Sequence, residues 1–240
     1  MPHTESDKAG ILYLHGFASG PGSTKGRALE ARFSARGVPF HRADLTPGET
    51  GFERSTPSTM LAEAERLVAA QRPRVLMGSS LGGYLAALVV GAGGSSPALA
   101  GIRRIVLLAP AFRIFERWLG RLTPGDEARW RAEGLEVWHH GSARRRRLGW
   151  SFMDDAAKLP AFPDVGLPAL CLAGRRDEVV PLEDVERFVE LSNARSPSGG
   201  QAPALRTARL VVLDDGHELI ASIDRIFEEA WAFLEPVLAP

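Results

Sequence analysis

The sequence predicts an α/β fold, a three-layer α/β/α sandwich around a mostly parallel six-stranded sheet with a helical cap insertion. Two observations predict it. Short, unbroken apolar runs alternate with stretches of helical periodicity along most of the 240 residues. Strands buried on both faces read as such runs, and regular strand–helix alternation builds a parallel sheet covered on both sides. The length suits one α/β domain carrying an insertion, with enough chain to bury a core without disulfides.

The first run, Ile11 to Leu14, ends at His15-Gly16. Lys25 to Arg36 follows as a helix with Leu29 and Phe33 on one face and Gly37 as its stop. Pro39 to Leu45 is a weaker strand. Pro57 to Gln71 is a helix, with Leu61, Ala64, Leu67 and Val68 at helical spacing. Arg74 to Met77 is the next strand, running through Gly78 into a helix from Leu81 to Val90. Ile105 to Leu108 and Ala169 to Leu172 are strands. Pro181 to Leu191 is a helix opening on proline, with Leu182, Val185, Phe188 and Val189 as its stripe. Leu210 to Leu213 is the sixth strand, and Ile223 to Leu234 closes the chain as a helix.

Two stretches break the alternation. Ser192 to Ala208 is rich in Ser, Gly, Pro and Ala and reads as a mobile loop. Residues 112 to 165 are far longer than an ordinary connection and hold four of the five tryptophans, Trp118, Trp130, Trp138 and Trp150. They read as a cap over the sheet edge, with helices at Ile114 to Leu122 and Asp126 to Glu133 and the tryptophans as its small core.

Composition narrows the function classes. Lys+Arg and Asp+Glu both number 29, so no net field draws the chain to nucleic acid or an anionic membrane. Cys171 is the single cysteine, which fits a reducing compartment. Met1 to Gly10 lacks the apolar stretch of a secretory signal. The most apolar stretch, Leu81 to Gly94, is broken by glycines and falls below the ~20 residues of a membrane span. The expectation is a soluble, cytoplasmic protein.

Gly78-Ser79-Ser80-Leu81-Gly82 sits between a strand and a helix. There the pattern G-x-S-x-G has a mechanical reason. The chain turns so sharply that Ser80 takes a strained backbone and exposes its hydroxyl, while Gly78 and Gly82 keep side chains out of the crowded turn. The helix N-terminus favours negative charge developing beside it. Ser79 misses the central position and reads as structural.

A serine hydroxyl needs a base to take its proton. Asp214-Asp215-Gly216-His217-Glu218 follows the last strand and supplies His217. Gly174 to Pro181 follows the strand before and supplies Asp177 to orient the imidazole. The order Ser80, Asp177, His217 is that of a nucleophile-elbow hydrolase. Simpler roles remain open at this point. Asp177 could cap the helix at Pro181 or pair with Arg175 or Arg176, and Glu178, Asp214 and Asp215 are rival acids. His15-Gly16-Phe17, after the first strand, is placed to supply an oxyanion donor. That donor is the backbone N–H of Phe17, alongside the N–H of Leu81, with Gly16 allowing the close approach and His15 structural.

At these residues the chain resembles the α/β-hydrolase superfamily, most closely its small YqiA-like serine esterase branch. The resemblance is carried by Leu12 to Gly22 (LYLHGFASGPG), Met77 to Gly83 (MGSSLGG), Gly174 to Pro181 (GRRDEVVP) and Asp215 to Glu218 (DGHE). It implies a Ser80–His217–Asp177 triad and hydrolysis of a small-molecule acyl ester or thioester without a cofactor. It also implies the superfamily's strand order with its first two strands missing. The cap is where such proteins differ most; palmitoyl thioesters are one substrate class the resemblance suggests. C–C or peptide bond hydrolysis on the same triad, or a catalytically silent ligand-binding protein, are the competing readings.

Other motifs are set aside. Gly20 to Gly26 lacks the glycine a phosphate loop places before its lysine, since Thr24 is there; it reads as a flexible turn near the mouth of the site. His139 and His140 are adjacent and make a poor metal pair, with no cluster beside them for zinc. Arg144 to Arg147 reads as a solvated loop on the cap, with contact to an anionic part of the substrate as the alternative. Cys171, inside a strand, reads as buried and inert.

Overall fold

The computed structural model describes residues 10–48, 51–91, 99–194 and 207–238. In chain order the elements are β1 (Ile11–Leu14), α1 (Thr24–Ser34), β2 (Phe40–Arg42), α2 (Pro57–Gln71), β3 (Val75–Ser79), α3 (Leu81–Gly91), β4 (Arg104–Leu108), α4 (Ile114–Leu119), α5 (Pro124–Glu133), β5 (Leu135–His139), β6 (Arg144–Leu148), α6 (Ser151–Ala156), β7 (Ala169–Gly174), α7 (Leu182–Ala194), β8 (Ala208–Leu213) and α8 (Ile223–Leu238).

Six strands form one sheet in the order β2-β1-β3-β4-β7-β8, and every pairing is parallel. Successive side chains of a strand point to opposite faces, and the core divides accordingly. Leu12, Leu14, Leu76, Ile105, Leu107 and Cys171 join a cluster with α2, α3 and α7. Ile11, Tyr13, Val75, Met77, Val106, Leu108, Leu170 and Leu172 join a second cluster with α1 and α8. Two apolar faces, each covered by helices, give the three layers the apolar runs imply.

Local chemistry sets the helix starts. Ser23 Oγ accepts from the Gly26 N–H at the head of α1. Thr56 and Thr59 form a capping box at α2, with Pro57 in the first turn, and Thr123 and Asp126 do the same at α5 behind Pro124. Such caps satisfy the free N–H groups of the first turn.

Between β4 and β7 the chain leaves the sheet, and here the structure adds to the sequence reading. The insertion is not helical throughout: β5 and β6 form an antiparallel hairpin, with Glu136 opposite Arg147 and Trp138 opposite Arg145. Arg144 to Arg147 is therefore strand, not loop. Arg146 points inward and pairs with Glu53 at 3.0 Å, while Arg144, Arg145 and Arg147 face outward. Trp118, Trp130 and Trp150 pack with Phe152 as the insertion's aromatic core, whereas Trp138 is exposed. The Trp130 indole N–H donates to Leu148 O at 2.9 Å, tying α5 to the hairpin. β2 is shorter than Pro39 to Leu45. Of the stretch expected to be a loop, Ser192 to Ala194 finish α7 and Ala208 begins β8; residues 195–206 lie outside the described residues. Cys171 is buried, and burial pushes its thiol pKa up. No helix among the described residues is long and apolar enough to cross a membrane.

Candidate active site

The turn between β3 and α3 holds Ser80 at φ 54°, a left-handed conformation that an L side chain adopts only when its surroundings enforce it. The enforcement is visible. Ser80 N–H donates to Leu108 O at 2.8 Å, and Ser80 O accepts from the N–H groups of Gly83 and Ala111 at 2.9 and 3.0 Å. A Cβ on Gly78 would lie 2.2 Å from Gly82 O, and one on Gly82 would lie 2.2 Å from Leu14 O. Both positions accept only glycine, so the elbow is pressed against β1 as well as turned on itself.

β7 and β8 are neighbours, so the loops that leave their C-terminal ends emerge side by side. Gly174 ends β7 where a Cβ would lie 2.5 Å from Asp215 O; the two loops touch backbone to backbone. This contact places Asp177 and His217 together across forty positions of sequence. His217 Nδ1 lies 2.8 Å from Asp177 Oδ2, and His217 Nε2 lies 3.0 Å from Ser80 Oγ. The Asp177 side chain is 1 % exposed and that of His217 is 16 % exposed.

The second Asp177 oxygen, Oδ1, accepts from the Val179 and Val180 N–H groups at 2.8 and 2.7 Å. The carboxylate thus closes the turn leading into α7 and faces His217 at once. Burial by itself would raise its pKa; the hydrogen bonds from His217 and the two amides outweigh burial and hold it below the usual carboxylate value. The rival acids are placed elsewhere. Asp214 pairs with Arg176 at 3.1 Å. Asp215 accepts from Gly216 and Ser222 N–H, shaping the loop that carries His217. Glu178 is exposed.

His15 is buried and structural in its contacts. Its Nε2 accepts from Leu45 N–H at 3.3 Å, which leaves Nδ1 to donate to Gly16 O at 2.9 Å. Burial lowers its pKa, in keeping with a neutral ring. A Cβ on Gly16 would lie 3.4 Å from Ser80 Cβ, so the loop after β1 passes directly over the elbow.

A cavity of about 710 Å³ opens onto Ser80, His217, Phe17 and Leu81. Its lining includes the apolar side chains of Phe112, Ile114, Trp118 and Val180 and the polar ones of Tyr13, Ser23, Thr24 and Lys25. His140 lines it too, while His139 packs its ring against Phe52. Among the described residues no cluster of His, Cys, Asp or Glu could hold a metal ion.

Residues 10–144 match the family described as Uncharacterised protein family (UPF0227). The chain belongs to this family. No curated protein matches the UPF0227 chain in sequence. Its fold is shared by solved structures. A candidate hydrolase from Agrobacterium vitis S4 is 23 % identical with a TM-score of 0.77, covering 95 % of this chain and 88 % of its own. Est1E from Butyrivibrio proteoclasticus, solved with ferulic acid bound, is 20 % identical with a TM-score of 0.75, covering 100 % and 94 %. A candidate hydrolase of the alpha/beta superfamily from Xanthomonas campestris pv. campestris is 22 % identical with a TM-score of 0.61, covering 95 % and 99 %. These likenesses establish the α/β-hydrolase fold for the UPF0227 chain.

Sequence reasoning passed over one residue of the cavity. Lys25 enters it as the start of a helix and as part of a rejected phosphate loop, yet it is buried and donates to Ser79 Oγ at 2.8 Å. A signal was present. Lys25, Leu29 and Phe33 recur every fourth residue, which sets the lysine on the buried stripe of α1.

Proposed function

We propose that this UPF0227 protein is a serine hydrolase that cleaves a carboxylic ester or acyl thioester through Ser80, His217 and Asp177. The observation that carries the reading is the unbroken relay from Ser80 Oγ through both ring nitrogens of His217 to Asp177, at 3.0 and 2.8 Å. A strained elbow, a base within hydrogen-bond reach and a buried carboxylate behind it are the parts acyl transfer requires.

Ser80 Oγ attacks the carbonyl carbon while His217 Nε2 takes its proton, and Asp177 stabilises the imidazolium so formed. The backbone N–H groups of Phe17 and Leu81 receive the carbonyl oxygen as it becomes an oxyanion. The bond to the leaving group breaks as His217 returns the proton to the departing alkoxide or thiolate. Water then adds to the acyl-enzyme, giving its proton to the same histidine, and the acid is released with Ser80 restored. The triad supplies nucleophile and base, so the steps need no cofactor. The whole chain is read as one domain with residues 112–165 as its cap. The lone Cys171 fits the cytoplasm as its compartment.

The test is a p-nitrophenyl ester assay with fluorophosphonate labelling. Ser80→Ala should lose the label and drop turnover by a factor on the order of 10⁴ or more, because triad members act as a unit. Undiminished turnover in Ser80→Ala would overturn the reading.

A further inference from the structure

The cavity holds a charge that the triad does not use. Lys25 is 6 % exposed, and it lines the same cavity as Ser80 and His217. Its ammonium donates to Ser79 Oγ, the residue next to the nucleophile. An ammonium has three protons to donate. Among the described residues Ser79 is the one hydrogen-bond partner of Nζ, and Lys25 forms no ion pair. Burial without a counter-ion disfavours the charge and lowers the Lys25 pKa to about 8; Glu218, Asp177 and Asp215 act against that from a distance.

Holding Ser79 alone does not call for a buried cation, since a neutral donor would serve. The surroundings point to a ligand instead. Ser23, Thr24 and Lys25, at the start of α1, line the cavity, and a helix N-terminus carries positive potential. Of the charged side chains on the cavity wall, Arg117 is neutralised by Asp184 at 2.7 Å, and Glu218 is the sole carboxylate among the described lining residues. Among the described residues neither Lys25 nor Arg27 forms an ion pair, and Phe112, Trp118 and Val180 give the same cavity its apolar lining.

We propose that Lys25 determines specificity by pairing with a carboxylate or phosphate on the substrate, so that the natural ester or thioester carries an anionic group on one side of the scissile bond. This rests on Ser80 being the nucleophile. The anion completes the coordination of a buried ammonium, and the apolar lining residues take the rest of the molecule.

The test compares esters matched in size and differing in charge. In the acyl arm, mono-p-nitrophenyl glutarate is set against p-nitrophenyl pentanoate. In the leaving-group arm, the butyrate ester of 5-hydroxy-2-nitrobenzoate is set against p-nitrophenyl butyrate. In one arm wild type should favour the anionic ester in kcat/KM by at least about tenfold, the scale of one hydrogen-bonded ion pair. In Lys25→Met that ratio should fall to near one. The ratio is taken within one protein, so a general loss of activity in the variant cancels. A smaller wild-type preference in both arms, or one that survives in Lys25→Met, overturns the proposal. Ser80→Ala separates the two layers: if it abolishes turnover of all four esters while wild type ignores charge, only the role of Lys25 falls. If Ser80→Ala still turns them over, the nucleophile reading falls first.

Discussion

A buried lysine held without a counter-ion should leave a mark on stability that can be measured apart from activity. The ordinary Lys25 value of 10.5 falls to about 8 in the folded protein. At neutral pH both folded and unfolded states are protonated, and the folded state bears the full penalty, about 3 kcal/mol at 1.36 kcal/mol per unit. Between the two values the unfolded chain binds the proton and the folded chain does not, so stability rises with pH. By about pH 9.5 roughly one unit of the difference remains, and about 2 kcal/mol of the penalty has been relieved. Lys25→Met removes this titration and leaves every other group in place. Urea unfolding followed by tryptophan fluorescence, at pH 7 and at about pH 9.5, gives the comparison. Wild type should gain about 2 kcal/mol on the variant across that interval. Because each protein is compared with itself, packing differences at the substituted position drop out. Parallel pH responses of the two proteins would refute the argument, since they would mean that Lys25 reaches water freely.

Two further outcomes follow from other contacts. Asp177→Asn should keep the fold, because its oxygen can still accept from Val179 and Val180 N–H. Its amide would then face His217 Nδ1 and force the wrong tautomer, lowering kcat by a factor on the order of 10³–10⁴; a pH–rate profile beside near-ultraviolet circular dichroism checks both halves, and near-normal turnover would hand the acid role to another carboxylate. Arg117→Ala should destabilise the protein by about 3 kcal/mol in urea, because it strips the bidentate partner from a buried carboxylate. Asp184 is 3 % exposed and, among the described residues, keeps Arg113 at 3.4 Å as its one remaining ion pair, and removing Asp184 as well should restore part of the loss. A loss under about 1 kcal/mol would mean that Arg113 takes over the pairing.

Much of the fold was legible because its signals are local. Ile11 to Leu14 and Pro57 to Gln71 coincide with β1 and α2, since an apolar run and a capped amphipathic stretch each specify their element within a few residues. The candidate site was legible for a related reason. Ser80, Asp177 and His217 each stand just past a strand end, and a parallel sheet gathers its strand ends along one edge. The hairpin of β5 and β6 was not legible. Its inward positions include Arg146, whose burial depends on Glu53, ninety-three residues away; four consecutive arginines hide the alternation that would otherwise mark a strand. Lys25 was missed for the same physical reason. Its partner Ser79 is fifty-four residues distant, and a charged side chain on a helix stripe looks like surface until that partner is known. The choice among Asp177, Glu178, Asp214 and Asp215 likewise needed coordinates, because spacing alone puts all four near the histidine.

The loop after β1 answers to two masters. The Phe17 ring meets Trp118 edge-on at 4.9 Å and packs against Phe52 and Phe152, while Ala18 O accepts from the His140 N–H at 2.7 Å, at the tip of the hairpin. The segment whose amide is proposed to hold the oxyanion is therefore braced by the insertion, not by the sheet alone. Grafting a foreign insertion between β4 and β7 to retune substrate range would strip that brace, so rate and range are inherited as a package. A successful transplant has to carry its own aromatic seat for Phe17.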